Sequence, residues 1–396
     1  MSNEAPSYII QINDKDLDIG VSQFVLSVEY ESADGLADVA KVVLMNPDFI
    51  LTDKKFIQPG NEMSIYFGYD SLEFIGRVKI AKFRQNWPAA GDMPTIEIVG
   101  YSKGHDMMDN EPAKAEKAEP SSNSKAAKKS AKKKNEKAKA SEGRRFKDQT
   151  YADAVILKAQ DYGFTPDVDP TPDESHDFVQ KAGLSDYQFV QGMANMTGFV
   201  FWVDADYTGK WILHFKDPEG LTTQEKILEF KYNDEYATLL EFDGELSFSG
   251  VQTKIVVEAL DPTTGKVLNA EFEQNPGTDD PLFVGDLIKN VAEPGPPAEI
   301  LLVIGDLQVT TIANKKFKND AELIFWTKQW FRRNAEQFAT GEGTIIGEPK
   351  LMSRQTHKLT NLGEQFSGDW YFTKVVHHLS ADGGYTSTFS ARKVIK

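Results

Sequence analysis

The sequence predicts a mainly β protein with an α+β insert, and three observations carry that reading. Short segments of alternating polarity fill residues 7 to 104. A stretch with two helix-capping boxes lies near 150 to 198. Alternation then returns and closes the chain in a hairpin.

In the first region, Ser7 to Ile12, Phe24 to Glu31, Ala40 to Met45, Met63 to Tyr69, Glu73 to Phe83 and Thr95 to Tyr101 read as strands with turn residues between them. Six short strands without a long helical segment suggest a small barrel or sandwich. Residues 111 to 145 change character. Lys and Ala dominate, no apolar periodicity survives, and such a run cannot bury enough surface to offset chain ordering. A mobile insert is expected there.

Order returns near Phe146. Thr150-x-x-Asp153 is a capping box, with Tyr151, Val155, Ala159 and Tyr162 forming a stripe that Gly163 ends. Ser185-x-x-Gln188 is a second box, and Gly198 stands where a left-handed terminator belongs. Phe199 to Asp204 and Lys210 to Phe215 follow as strands around an Asp206/Gly209 turn. From about Ile227 the pattern is β again, with strands at Tyr236 to Phe242 and Gly250 to Leu260. Residues 274 to 298, rich in Pro, Gly and Asp, read as an extended loop. Asp320 to Phe338 is the longest helix expected, capped by Asn319 and ended by Gly341-Glu-Gly343, with strands resuming at Thr344.

The terminal segment reads as a hairpin around Asp382-Gly383-Gly384. Simple alternation puts Phe372, Lys374, Val376 and His378 on one face, and Thr373, Val375, His377 and Leu379 on the other. A faint repeat links the two ends of the chain. Phe74-x-Gly76 precedes Lys82 by the same offset at which Phe366-x-Gly368 precedes Lys374, which suggests two related barrels. The expected organisation is 1–110 as first barrel and 111–145 as flexible Lys/Ala-rich insert. A small α/β domain covers 146–226. The second barrel is 227–396, with a loop insertion around 261–300 and a helix around 320–338.

The chain has 396 residues, no cysteine and a formal net charge of −16. Disulfides and thiolate metal sites are therefore excluded. No apolar run approaches the ~18 residues of a membrane span, and the first residues show no leader pattern. Between Ala113 and Arg145 the local net charge is +8, so the remainder carries −24. An acidic body argues against a general nucleic-acid-binding surface. The Lys-rich run has no interleaved aromatic to stack on bases, so a solvated loop is favoured over a nucleic-acid-binding module.

Catalytic signals are absent from the sequence. The histidines are His105, His176, His214, His357, His377 and His378, none at a helical metal-ligand spacing; His377 and His378 point to opposite faces of a strand. Asp204/Asp206 and Asp279-Asp280 fall in expected turns. A cell-wall hydrolase would need two carboxylates facing across roughly 5–9.5 Å; turn formation is the simpler role. No nucleophile elbow, P-loop or Rossmann fingerprint occurs. Trp202, Trp211, Trp326, Trp330 and Trp370 sit on strand or helix stripes and are expected in the core or at subunit contacts. No catalytic, metal or cofactor-binding residue is assigned, and no cofactor is expected.

Several islands, in order, resemble the late control D family of phage baseplate hub proteins and the front part of VgrG spike proteins. They are Pro59-Gly60, Phe74-x-Gly76-x-Val78 and Gly100-Tyr101; then Leu184 to Asp204; then Phe366-x-Gly368-x-Trp-Tyr-x-x-Lys374-Val375-x-His377 and Gly383-Gly384-Tyr385. The resemblance implies two tail-tube-like β-barrels per chain plus a small α/β domain, assembled as a pseudo-hexameric homotrimer. It implies no enzymatic activity. The expected role is that of a structural baseplate hub of a phage or phage-like contractile tail, adapting a six-fold tail tube to a three-fold central spike in the virion, after assembly in the host bacterial cytoplasm. Expected partners are the tail tube protein, a separate trimeric spike, other baseplate proteins and the tape measure protein. The rival readings are a tail-tip cell-wall hydrolase and a nucleic-acid-binding module acting through the Lys-rich insert. That insert is a departure from the family pattern.

Overall fold

Two sets of six strands carry the architecture, and they match in spatial order, except that the last pair is antiparallel in the first set and parallel in the second. In the first set, β1 (Ser7–Ile12), β3 (Val25–Ala33), β4 (Val39–Met45), β5 (Glu62–Gly68), β6 (Leu72–Asn86) and β7 (Thr95–Tyr101) line up as β3-β4-β7-β6-β5-β1. The short β2 (Lys15–Asp16) extends the β1 edge. In the second set, β13 (Glu229–Lys231), β14 (Leu239–Leu246), β18 (Ala339–Ile346), β19 (Gln355–Thr360), β20 (Gly368–Ser380) and β21 (Gly384–Lys393) line up as β14-β18-β21-β20-β19-β13. The computed structural model describes residues 5–89, 92–109, 143–171, 173, 175–222, 228–247, 254–260, 265, 267–273, 309–311, 317, 320–335 and 337–394. The expected insert, up to residue 142, lies outside them, as do residues 274–300 and Asn319.

Register makes the match residue-specific. Lys82 faces Val99, which faces Lys41, which faces Glu29. Lys374 faces Ser390, which faces Glu342, which faces Asp243. Each lysine stands one residue after a break in register, at Ile80/Lys82 and at Phe372/Lys374. The repeat seen in sequence is therefore a repeat of strand, bulge and register.

That bulge corrects the expected faces of the terminal hairpin. An extra residue at Thr373 shifts the alternation by one, so Phe372 is buried with Val375 in the second core and does not share the face of Lys374. A second correction concerns Gly341-Glu-Gly343. It does not end a helix: the helix ends at Ala335, and β18 runs through both glycines. They are glycine because rings lie over them. A Cβ at Gly341 would come within 2.5 Å of the Phe242 ring, and one at Gly343 within 2.6 Å of Phe389. The strand expected at Tyr236 to Phe242 lies instead at Leu239–Leu246.

The second set closes on itself. Tyr232 bridges to Leu239, and Thr238 donates to the Lys231 carbonyl at 3.1 Å. The first set does not: among the described residues no ladder joins β1 to β3. Leu17, Val21 and Phe24 pack against the core there instead. The cores differ in kind. The first is aliphatic, built on residues such as Val42, Leu44, Ile65, Ile80 and Ile98. The second is aromatic, with Phe230, Phe338, Trp370, Phe372 and Phe389.

Between the barrels lies the α/β unit. β8 (Arg144–Gln149) pairs with β10 (His176–Gln180), so Arg144 and Arg145 stand in a strand rather than in the insert. β11 (Val200–Ala205), β12 (Trp211–Lys216) and β9 (Thr165–Val168) form a second small sheet. Helices Tyr151–Asp161 and Asp186–Thr197 both start at the expected reciprocal capping boxes, and Gly198 ends the second with φ 80°. Between β14 and β18 the chain also builds a separate sheet, β16 (Val267–Glu273), β15 (Lys254–Leu260) and β17 (Val309–Thr311), with helix Asp320–Ala335 packed on it. Part of what reads as a loop around 261–300 is thus strand β16. The helix reaches the α/β unit, where the Phe325 ring meets Phe199 at 6.2 Å.

Candidate functional site at the barrel seam

The second barrel is joined to the first by one strand. β20 is thirteen residues long, twice its neighbour β19, and its two halves have different partners. Gly368 to Phe372 pair with β19, whereas Lys374 to Ser380 pair with β3, from Lys374↔Ala33 to Ser380↔Ser27. Thirteen strands thereby form one sheet. The two faces of the seam are distinct. On one, Lys374 lies 2.9 Å from Glu31 and His378 3.6 Å from Glu29. On the other, Leu379 and Tyr385 enter the first core.

His377 is fully buried on the apolar face. Its Nε2 donates to the Leu351 carbonyl at 2.7 Å, so Nδ1 accepts from the Tyr385 hydroxyl at 2.8 Å. Burial disfavours a charge there and lowers its pKa to about 4. His357, wedged against the rings of Phe372 and Phe230, is likewise lowered to about 4 by burial. Both are packing histidines. His378 points the opposite way, as alternation requires, and His105 stacks on Tyr101 at 4.6 Å.

Beside the seam, three parts of the chain meet at Arg354. Its guanidinium lies 3.2 Å from Asp38 and 3.7 Å from Asp34, bonds the Ala33 carbonyl, and rests 4.8 Å from the Trp202 ring. Asp38 also accepts from the Tyr30 hydroxyl at 3.1 Å. Burial pushes the Asp38 carboxyl up to about 6; Arg354 opposes this and Asp204 adds to it. In the α/β unit the Trp202 indole donates to Asp204 at 2.9 Å. His214 stacks on Trp202 and bridges Asp204 at 3.0 Å and Asp167 at 2.7 Å. Burial opposes the charged His214, but the two carboxylates outweigh it and raise its pKa.

Chemically, this is a joint. Each carboxylate is committed to a cation, an indole or a hydroxyl, and no nucleophile–base pair is among them. Asp206 accepts from Thr208 and Lys210 within its own turn, a turn former as expected, whereas Asp204, expected in a turn as well, stands in β11 and holds Trp202 and His214. Asp279-Asp280 lies outside the described residues. Among the described residues, no group of histidines and carboxylates could hold a metal ion, and no helix is long and apolar enough to cross a membrane. Trp202, Trp211, Trp326 and Trp370 are buried and Trp330 partly so, which is the core placement expected of them. Sequence reasoning missed the Arg354 network because its members are up to 321 residues apart. It also passed over Trp87, which is 64% exposed.

Paired barrels sharing one sheet, with an α/β unit between them, define a class. The same fold occurs in a tail protein from Neisseria meningitidis (TM-score 0.63, 11% identity, 99% of this chain and 98% of that one). It occurs also in the 43 kDa tail protein of prophage MuSo2 from Shewanella oneidensis (TM-score 0.62, 13% identity, 98% of both chains). A Francisella PdpA-VgrG complex contains a chain that matches at TM-score 0.53 and 8% identity over 98% of this chain and 58% of that one. At these identities the likeness is one of fold. A family model, described as the Alg8 N-terminal domain, matches residues 121–381, well over half of the sequence, and the chain belongs to that family. That match leaves out the first barrel, whereas the fold likeness includes both. No curated protein matches the chain.

Proposed function

We propose that this chain is a structural, non-enzymatic baseplate hub of a phage or phage-like tail, acting as a homotrimer in the virion. One observation carries the reading: two barrels with matching strand order and register are fused in one sheet. Three such chains present six similar barrels around a true three-fold axis. One side of that ring suits a six-fold tail tube, and the other a separate trimeric spike. The buried Arg354 joint supports this role, since a ring under mechanical stress needs its parts fixed to one another. Other baseplate proteins and the tape measure protein would dock around it, with assembly in the host cytoplasm before incorporation.

Imaging of purified tail particles tests the proposal. Density for three copies between tube and spike is the expected result. A strictly monomeric protein absent from such particles overturns it.

A further inference from the structure

The seam within the chain has a counterpart that is incomplete. In the second barrel, the half of β20 after the bulge pairs with β3. The equivalent half of β6 is Lys82 to Asn86. It pairs with β7 on one side, while β5 leaves its other side at Lys79. The strand equivalent to β3 is β14, which pairs with β18 and stands at the end of the sheet. Among the described residues, no ladder covers the outer edge of Lys82 to Asn86, and on β14 only Leu239 is engaged, by Tyr232, which leaves the edge from Leu240 to Leu246 open. Such edges seek a partner strand.

We infer that the open half of β6 in one copy pairs with the outer edge of β14 in a second copy, repeating the internal seam. The inference rests on the trimer reading above and deepens it by assigning the edges and the register. Transferring the β20–β3 register through the barrel equivalence sets Arg84 opposite Glu245 and Asn86 opposite Asp243. Lys82 then lies one diagonal step from Glu245, as Lys374 does from Glu31. Trp87 falls opposite Phe242, beside Leu240, which is 50% exposed. Pro88, without an N–H, ends the ladder.

Charge supports the same pairing. Lys82 and Arg84 are exposed on the β6 edge; Glu241, Asp243 and Glu245 are exposed on β14. Two β14 edges would bring carboxylates together, and two β6 edges would bring cations together. Only the unlike pair is attractive. The contact is therefore head-to-tail, the type that closes into a ring.

The absence of cysteine allows a direct test on the full-length chain. Asn86→Cys combined with Asp243→Cys should give a covalent three-chain species under oxidation. Lys82→Cys with Asp243→Cys, four residues out of register, should not, since disulfides need Cα atoms within about 7 Å. Lys82→Glu and Glu245→Lys should each move the trimer midpoint to a roughly tenfold higher concentration in mass photometry, and the double exchange should restore it. A trimer that gives no in-register cross-link and ignores both charge reversals overturns this inference while leaving the hub reading intact. Cross-linking by the out-of-register pair also overturns it. A chain that is monomeric alone and in tail particles overturns both.

Discussion

The two barrels share strand order and register but are filled differently, and the difference shows what a duplicated fold conserves. The first packs aliphatic chains in an open set of strands; the second packs rings over glycines in a closed one. Gly76 and Gly368 occupy equivalent places for unlike reasons. A Cβ on Gly76 would come within 2.2 Å of the Tyr30 ring, whereas one on Gly368 would meet only the Lys393 side chain, at an ordinary 3.6 Å, and the constraint there is a φ of 130°. The backbone plan persisted while the reason for the glycine changed, because the plan is fixed by hydrogen-bond register and the filling only by volume.

The strongest way to break the comparison is to remove the ring at its centre. Phe372 is stacked 4.2 Å from Phe389 on the strand both barrels share. Phe372→Ala should cost about 3–5 kcal/mol in denaturant unfolding. Hydrogen exchange should then show both barrels losing protection together; loss confined to residues after 228 would mean that the seam does not couple them. Next come the two glycines. Gly76→Ala should cost about 2–3 kcal/mol through overpacking, partly recovered by adding Tyr30→Leu. Gly368→Ala should cost about 1 kcal/mol through backbone strain, with no recovery from Tyr30→Leu. Equal recovery in both would erase the distinction.

A smaller effect is acid sensitivity. His377 has its folded pKa lowered to about 4, below the unfolded value near 6.5. The unfolded chain therefore binds the proton first, and stability falls as pH drops from about 6.5 to 4. His377→Asn should remove about 2 kcal/mol of that loss at pH 5; an unchanged pH profile would exclude His377 as its source. His214 and Asp38 work in the other direction, since their folded pKa values are raised and their contribution is lost as pH rises. Smallest is the exposed seam pair: Lys374→Ala should cost only about 0.5 kcal/mol, and less in high salt.

Much of the fold is legible in residues taken singly. Thr150, Ser185 and Gly198 mark helix ends because capping is a local bargain between a side chain and nearby backbone. The first-barrel strands follow from alternation. Misreadings occur where a distant residue overrules the local rule. Gly341 and Gly343 signal a helix stop until the Phe242 and Phe389 rings explain them. Thr373 carries no signal of a bulge, yet it moves Phe372 into the core.

The candidate site divides in the same way. The sequence by itself determined the strands of the first barrel, the caps, the opposed faces of His377 and His378, and the spacing that ties Lys82 to Lys374. These depend on period and on neighbours in the chain. Only the tertiary structure decided that β20 spans two barrels, that Arg354 meets Asp38 and Trp202, and that β6 and β14 keep open edges. Those facts depend on which strands lie side by side, and pairing between distant segments leaves no fixed spacing in sequence to read.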